Sequence, residues 1–407
     1  MGKLKAIDLE LEAVTPLWIG GAGRHPELRP PSVRGCLRFW LRALLGGTLG
    51  EDLKTLRQAE MAVFGSPQRA SPVVVRPQGA PPTGPSPVSA ADYPGVGYLL
   101  WSMYQQNRNA ILPGATFGLR LQCRPLEFEP VDVAGRRIEQ EVSFELAAAS
   151  FWLLLRLGGV GARARRGGGC IQAQRDPPGW PENLPSLVCQ AQTPAALATE
   201  LSAGLQQLRR VTGWQTAAPP TVSSFDILHP TVSQLVVLDQ TFPSWWEALD
   251  WVGQRFQTFR QDQKEDAGAI AALLTQGRPL VRTIQRAILG LPIPFFFKSI
   301  LAELKTEGVP EKDARRRASA SVMPEKGLGR TSPLFFRVVR LAGDTPAYTV
   351  VMGLFRAELL PDGKLRVQPQ DRAIRPASAT VPSNFSLLDQ WFDYMAQEAG
   401  KLHPIPL

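Results

Sequence analysis

Apolar and polar positions along this chain repeat with two different periods, and the changes of period predict its elements. Residues 4–14, Leu-Lys-Ala-Ile-Asp-Leu-Glu-Leu-Glu-Ala-Val, alternate at every second position, the mark of a half-buried strand. A loop with Gly20, Gly21, Gly23, Pro26, Pro30 and Pro31 follows. Ser32 reads as the N-cap of a helix from Val33 to about Leu45, ended by Gly46-Gly47. Residues 66–97 hold eight prolines around one short strand, Val73–Arg76, and predict an irregular insertion. Thr116–Cys123 alternates again and predicts a strand, and the strongly apolar run from Gln140 to Leu157 predicts a helix. Cys170–Gln174 is long enough for a short closing strand.

Strand, helix, strand, strand, helix, strand is the order of a ferredoxin-like or RRM-like module. Five prolines between residues 177 and 194 then mark a boundary, dividing the chain into domains at 1–178 and 179–407. The second part predicts helices at 195–210, 244–260 and 278–289, with a strand at 233–239. Strands at 334–341 and 347–356 are joined by a Gly343-Asp344 turn.

Composition sharpens the picture in three ways. The chain has 407 residues, 44% of them hydrophobic, enough to bury a sizeable core. Basic residues number 45 against 36 acidic, a formal charge of +9, and 35 of the cations are Arg, which favours bidentate contact with phosphate if an anionic partner exists. The four cysteines, Cys36, Cys123, Cys170 and Cys189, have neither Cys-x-x-Cys spacing nor a nearby His, which argues against a zinc site or a disulfide framework. Lys3, Asp8, Glu10 and Glu12 interrupt any signal-peptide pattern, and the longest apolar stretch, Leu146–Leu155, is half a bilayer span. The expectation is a soluble cytoplasmic protein with no membrane partner.

Two constellations bear chemistry. The first is Gly158-Gly159-Val160-Gly161-Ala162-Arg163-Ala164-Arg165-Arg166-Gly167-Gly168-Gly169, set in a stretch (146–175) without an acidic residue. Glycines let backbone N–H groups approach a phosphate, and Arg163, Arg165 and Arg166 would supply charge as exposed loop cations that contribute little stability. Its Gly159-x-Gly161-x-x-Ala164 is not a dinucleotide fingerprint, because it follows a helix rather than a strand. No Gly-Lys-Ser/Thr phosphate loop occurs, and no cofactor is expected. The second is Arg34, Arg38 and Arg42, which line one face of the first helix with no acidic residue between Glu27 and Glu51. Like charges at i, i+4 cost a few tenths of a kcal/mol per pair, so an anionic partner is expected there. A third, weaker basic run, Lys312–Arg317 followed by Lys326 and Arg330 around Gly327 and Gly329, is interleaved with Glu311, Asp313 and Glu325, and a mobile surface loop is the equal alternative. Catalytic machinery is thin. His25, His229 and His403 are scattered, and Asp132 stands alone in a loop.

The stretch Leu28-Arg29-Pro30-Pro31-Ser32-Val33-Arg34-Gly35-Cys36-Leu37-Arg38-Phe39-Trp40-Leu41-Arg42-Ala43-Leu44 resembles the first-helix signature of the Cmr-one family of RAMP proteins, and the Gly-Arg run resembles that family's glycine-rich loop. Thr15–Gly21 and Gly329–Leu334 fit less distinctively. The resemblance implies an α+β chain of two ferredoxin-like (RRM-like) domains with antiparallel sheets and helical insertions. It further implies a non-nuclease subunit of a type III-B CRISPR effector, near the 3′ end of the guide RNA and aiding capture of target RNA, with other Cmr subunits as partners. Gly168-Gly169 replaces a position where an aromatic is common, which favours backbone-phosphate contact over base stacking. The RNA-binding residues expected are Arg34, Arg38, Arg42, Gly158, Gly159, Gly161, Arg163, Arg165, Arg166, Gly167, Gly168 and Arg330. The alternatives are a RAMP-type endoribonuclease that cleaves repeat RNA with His25 as acid-base, and an architectural subunit that touches no RNA.

Overall fold

A computed structural model of the chain describes residues 5–20, 25–126, 128–214, 221–278, 282–327, 329–360 and 362–407. Gly21 and Gly23 lie outside the described residues. In chain order the principal elements begin with β1 (Ala6–Ala13), α1 (Pro30–Leu49), α2 (Leu53–Phe64) and β2 (Val73–Gln78). Next come β3 (Thr116–Cys123), α3 (Gln140–Arg156), β4 (Ile171–Ala173), α4 (Pro194–Thr212), β5 (Ser233–Leu238) and α5 (Trp245–Asp262). They are followed by α6 (Lys264–Gln276), β6 (Ile293–Phe296), α7 (Lys298–Thr306), α8 (Glu311–Arg317) and β7 (Ser319–Pro324). The chain ends with β8 (Leu334–Arg340), β9 (Tyr348–Phe355), β10 (Lys364–Pro369), β11 (Ala377–Thr380), α9 (Ser386–Ala399) and β12 (Leu402–Pro404).

Three four-stranded sheets result, with strand orders β2-β3-β1-β4, β8-β9-β5-β12 and β6-β7-β10-β11. The first two share one topology. In each, the first strand of the module lies between the third and the fourth, and the second strand forms the edge. Alternation along β1 explains its place: Ile7, Leu9, Leu11 and Ala13 turn inward under α1 and α3, while Asp8, Glu10 and Glu12 face out. Helix α3 is buried along almost its whole length, which accounts for its unbroken apolar run.

The chain forms two compact units. One comprises Met1–Arg255, Phe335–Ala357 and Ala396–Leu407 and holds the first two sheets. The other, Phe256–Leu334 with Glu358–Met395, is inserted into it and holds the third. Residue 178 therefore closes the first sheet's topology but does not separate the compact units. The insertion is not merely helical, since it carries a sheet of its own.

Three expected elements are corrected. Helix α1 starts at Pro30, with Arg29 in the N-cap position, and runs through Gly46 and Gly47 to Leu49. Those glycines serve close approach rather than termination. A Cβ on Gly47 would run into the Leu228 carbonyl oxygen, and one on Gly46 would crowd Ile227 and Phe225. The predicted helix at 278–289 is a 3-10 turn at Gln285–Leu289 alone, and residues 279–281 lie outside the described residues. The basic run at 312–317 forms helix α8 rather than a loop. Its charges are paired locally, Arg315 and Lys305 to Glu311 and Arg316 to Asp313.

Candidate nucleic-acid interface

The face of α1 carrying the arginines meets α2, and there the charge question is answered from within. Glu60, two turns into α2, takes Arg38 at 2.5 Å and Arg42 at 2.8 Å. Arg38 also donates to the carbonyl oxygens of Phe64 and Gly65 at the end of α2. The compensating carboxylate sits 18 and 22 residues downstream, so it is invisible to a scan of i, i+4 neighbours. This corrects the expectation that all three arginines await an external anion: Arg38 and Arg42 tie two helices together. Arg34 differs. It is half-buried near the start of α1, and among the described residues no carboxylate or carbonyl takes its guanidinium.

The glycine-rich loop is packed rather than displayed. Several of its amides are spent within the fold: Val160 donates to Gly169 O, Ala162 to Trp18 O, Gly168 to Arg163 O and Gly169 to Pro16 O, all within 3.1 Å. Several glycines are required by contact. Gly169 has φ +65, and a Cβ there would strike the Val160 carbonyl oxygen; Gly161, at φ +91, lies against the Trp18 carbonyl. Gly158, Gly159, Gly167 and Gly168 are all buried. The loop is thus held by hydrogen bonds within itself and to the Pro16–Trp18 segment.

Its arginines are engaged as well. Arg165 pairs with Asp226 and stands over the rings of Phe39 and Phe355, at 5.1 and 5.9 Å. Arg166 lies over Phe336, and the loop forms a parallel β-bridge there, between Arg166 and Phe336 of β8. Arg163, at φ +61, donates from Nε to Ser102 Oγ at 3.0 Å. The expectation of exposed, stability-neutral loop cations is corrected: the loop joins the first sheet's module to the second's.

One residue central to this joint escaped the sequence reading. Arg337 on β8 is 2% exposed and donates to the carbonyl oxygens of Gly158 and Ile171, the latter at 2.7 Å. Burial pushes its guanidinium pKa down to about 10. Its charge lies at the C-terminal end of α3, where the helix dipole favours a cation. Only its placement as the sole cation in the apolar run Leu334–Val339 hinted at such a role. Arg330 belongs to the inserted unit, where its guanidinium donates to the Glu358 carbonyl oxygen. His25 is exposed, whereas His229 contacts Thr231 and His403 contacts Asp239. Asp132 is exposed in a short hairpin formed by Val131–Val133 and Arg136–Ile138.

A model of the RAMP superfamily matches residues 10–172, the span from β1 to β4 that holds the helix and loop just described. The chain is 34% identical over 183 residues to CRISPR system Cmr subunit Cmr1-2 of Pyrococcus furiosus, covering 40% of this chain and 93% of that one. Against subunit Cmr1-1 of the same organism it is 30% identical over 158 residues, spanning 37% of this chain and 42% of that one. Its fold matches the apo crystal structure of Pyrococcus furiosus Cmr1 with a TM-score of 0.58, at 20% identity and 98% coverage of each chain. A chain of the type III-B Cmr-beta complex, determined by cryo-EM with cognate target RNA, AMPPnP and ssDNA, matches with a TM-score of 0.54 at 12% identity, over 98% of this chain and 100% of that one. The class that fold and site define is the RAMP superfamily. Within it the chain belongs to the Cmr1 family of CRISPR system Cmr subunits.

Proposed function

We propose that this chain is a non-catalytic, RNA-contacting subunit of a cytoplasmic type III-B CRISPR ribonucleoprotein, working beside other Cmr subunits. It contacts the guide RNA near its 3′ end and aids capture of complementary target RNA. It does so as two ferredoxin-like modules, 1–178 and 179–407, the latter carrying the inserted unit. The observation that carries this reading is Arg34: in a chain of charge +9, it is the one of the three arginines aligned at 34, 38 and 42 along α1 that Glu60 does not take, and among the described residues no other carboxylate or carbonyl takes it. The N-terminal end of α1 adds partial positive charge beside it. Arg163 and Gly161, at the outer rim of the glycine-rich loop, extend the contact. Arg165 and Arg166 act on RNA only through the shape they give the loop. Contacts of this type go to the phosphate backbone and read little sequence.

Single-stranded RNA binding by the full chain should lose log-affinity with log-salt at about −0.7 per phosphate neutralised. Arg34→Ala should weaken binding alike on unrelated sequences and flatten the slope by about one phosphate's worth. An unchanged slope removes Arg34 from the interface. Cleavage of repeat RNA by the wild-type chain, abolished in His25→Ala, would establish the endoribonuclease instead.

A further inference from the structure

The inserted unit's sheet packs one side against helices, and several positions on its other side are exposed. Ile293, Phe295, Val322, Leu365 and Val367 turn inward and pack with Ile270, Leu273 and Leu304 of α6 and α7. The pairing register places the alternate positions together on the other side. Phe296 lies opposite Ser319, Pro294 opposite Ser321, Ser321 opposite Gln368, Met323 opposite Arg366, and Lys364 opposite Thr380. Lys364 and Arg366 are exposed, and Phe296 is 45% exposed, one of few large apolar side chains so placed. None of the four strands contains Asp or Glu; Glu325, which donates its backbone N–H to the Lys364 carbonyl oxygen, Asp362 and Asp371 lie just past the strand ends. Arg315 of α8, itself paired with Glu311, stands 5.9 Å from the Phe296 ring centroid.

An antiparallel sheet with one wet face needs no ligand, and such a face is ordinarily a mixture of both charges. Here the strands themselves carry cations and no carboxylate, and an aromatic is exposed among them. That combination fits a strand of unpaired nucleotides: phosphates beside Lys364 and Arg366, and a base with its π-face on Phe296. We infer that the open face of the β6-β7-β10-β11 sheet is a second single-stranded RNA-binding surface, with Phe296 as its stacking platform. This deepens the proposed function and rests on the chain contacting RNA at all.

The test uses the full chain and single-stranded RNA carrying 4-thiouridine, alone and inside the assembled complex. Irradiation should crosslink RNA to the segment 293–324, read by mass spectrometry. Phe296→Ala should weaken binding about tenfold, within the range for one stacked base, while Phe296→Trp retains it. Lys364→Glu with Arg366→Glu should weaken binding and flatten the salt slope by about two phosphates' worth. None of these exposed changes should move the melting temperature. If all variants bind like wild type and no crosslink falls in this sheet, the surface assignment is overturned while RNA contact elsewhere stands. If the variants bind RNA normally but fail to assemble with the other subunits, the face docks protein and the inference falls. If wild type neither binds nor crosslinks RNA in either setting, the underlying reading fails too.

Discussion

Arg165 of the glycine-rich loop and Arg366 of β10 both stand in runs of sequence without an adjacent acidic residue, yet their surroundings differ. Arg165 has an aspartate from 61 residues away and two aromatic rings, and it helps close the joint between two sheets. Arg366 projects from a strand whose cross-strand neighbours are Met323 and Ser378, with no carboxylate within the strands of that sheet. The outward face of the first sheet marks the other extreme. Asp8, Glu10 and Glu12 of β1 are met in turn by Arg120, Arg175 and Arg340. A formal charge of +9 therefore says little about where a polyanion would land. What matters is which cations the fold has already neutralised.

The comparison breaks most readily at the glycines of the loop. Gly169→Ala forces a β-carbon into the Val160 carbonyl at positive φ, and should cost roughly 3 kcal/mol in urea unfolding. A loss below about 1 kcal/mol would mean that the Val160 carbonyl can move aside and the loop is not tightly packed. Next in size, Arg165→Ala strands Asp226, which is largely buried, and should cost about 2 kcal/mol, reduced from a fully buried pair by the arginine's partial exposure. Adding Asp226→Ala should recover part of that loss, as a double-mutant cycle would read. Arg366→Ala is the counterpart on the open sheet and should stay within about 0.5 kcal/mol of wild type. Equal effects at 165 and 366 would erase the distinction drawn between the two regions.

The smallest effect is a pH dependence close to the Asp226 segment. Burial, with the nearby Arg209 charge, lowers the His229 pKa below its ordinary value. The unfolded chain therefore binds a proton first as pH falls, and stability declines below about pH 6.5 while being unaffected above it. Melting temperatures from pH 7.5 to 5 should show this decline, and His229→Gln should flatten part of it. An identical profile in that variant would assign the decline to other groups.

Much of the fold is legible in local pattern. The period-2 runs at 4–14 and 116–123 correspond to β1 and β3, and the apolar run from Gln140 corresponds to α3, because alternation and helical burial are properties of neighbouring residues. The inserted sheet was missed although Lys364-Leu365-Arg366-Val367-Gln368 alternates as cleanly as β1 does. One of its partners, β11, is close in sequence, but the other, β7, pairs with it across more than forty residues and in turn carries β6, and only that long-range pairing turns one alternating segment into a face. The candidate site was legible as residue types but not as roles. Arg34, Arg38 and Arg42 read alike in sequence, and they part company only when α2 swings Glu60 beneath two of them.

By itself, then, the sequence determined the period of each element, the order of the first module, the family signature in the first helix and the glycine-rich loop, and the excess of arginine. Those depend on residues a few positions apart. Tertiary structure alone decided that Gly46 and Gly47 admit the 225–228 segment instead of ending a helix, that the loop arginines face inward, and that Arg337 lies buried against Gly158 and Ile171. Each of these outcomes rests on a partner at long sequence separation. The free energy of a charge or a glycine depends on what the fold places within a few ångströms of it, and the identity of that neighbour is not encoded nearby in the chain.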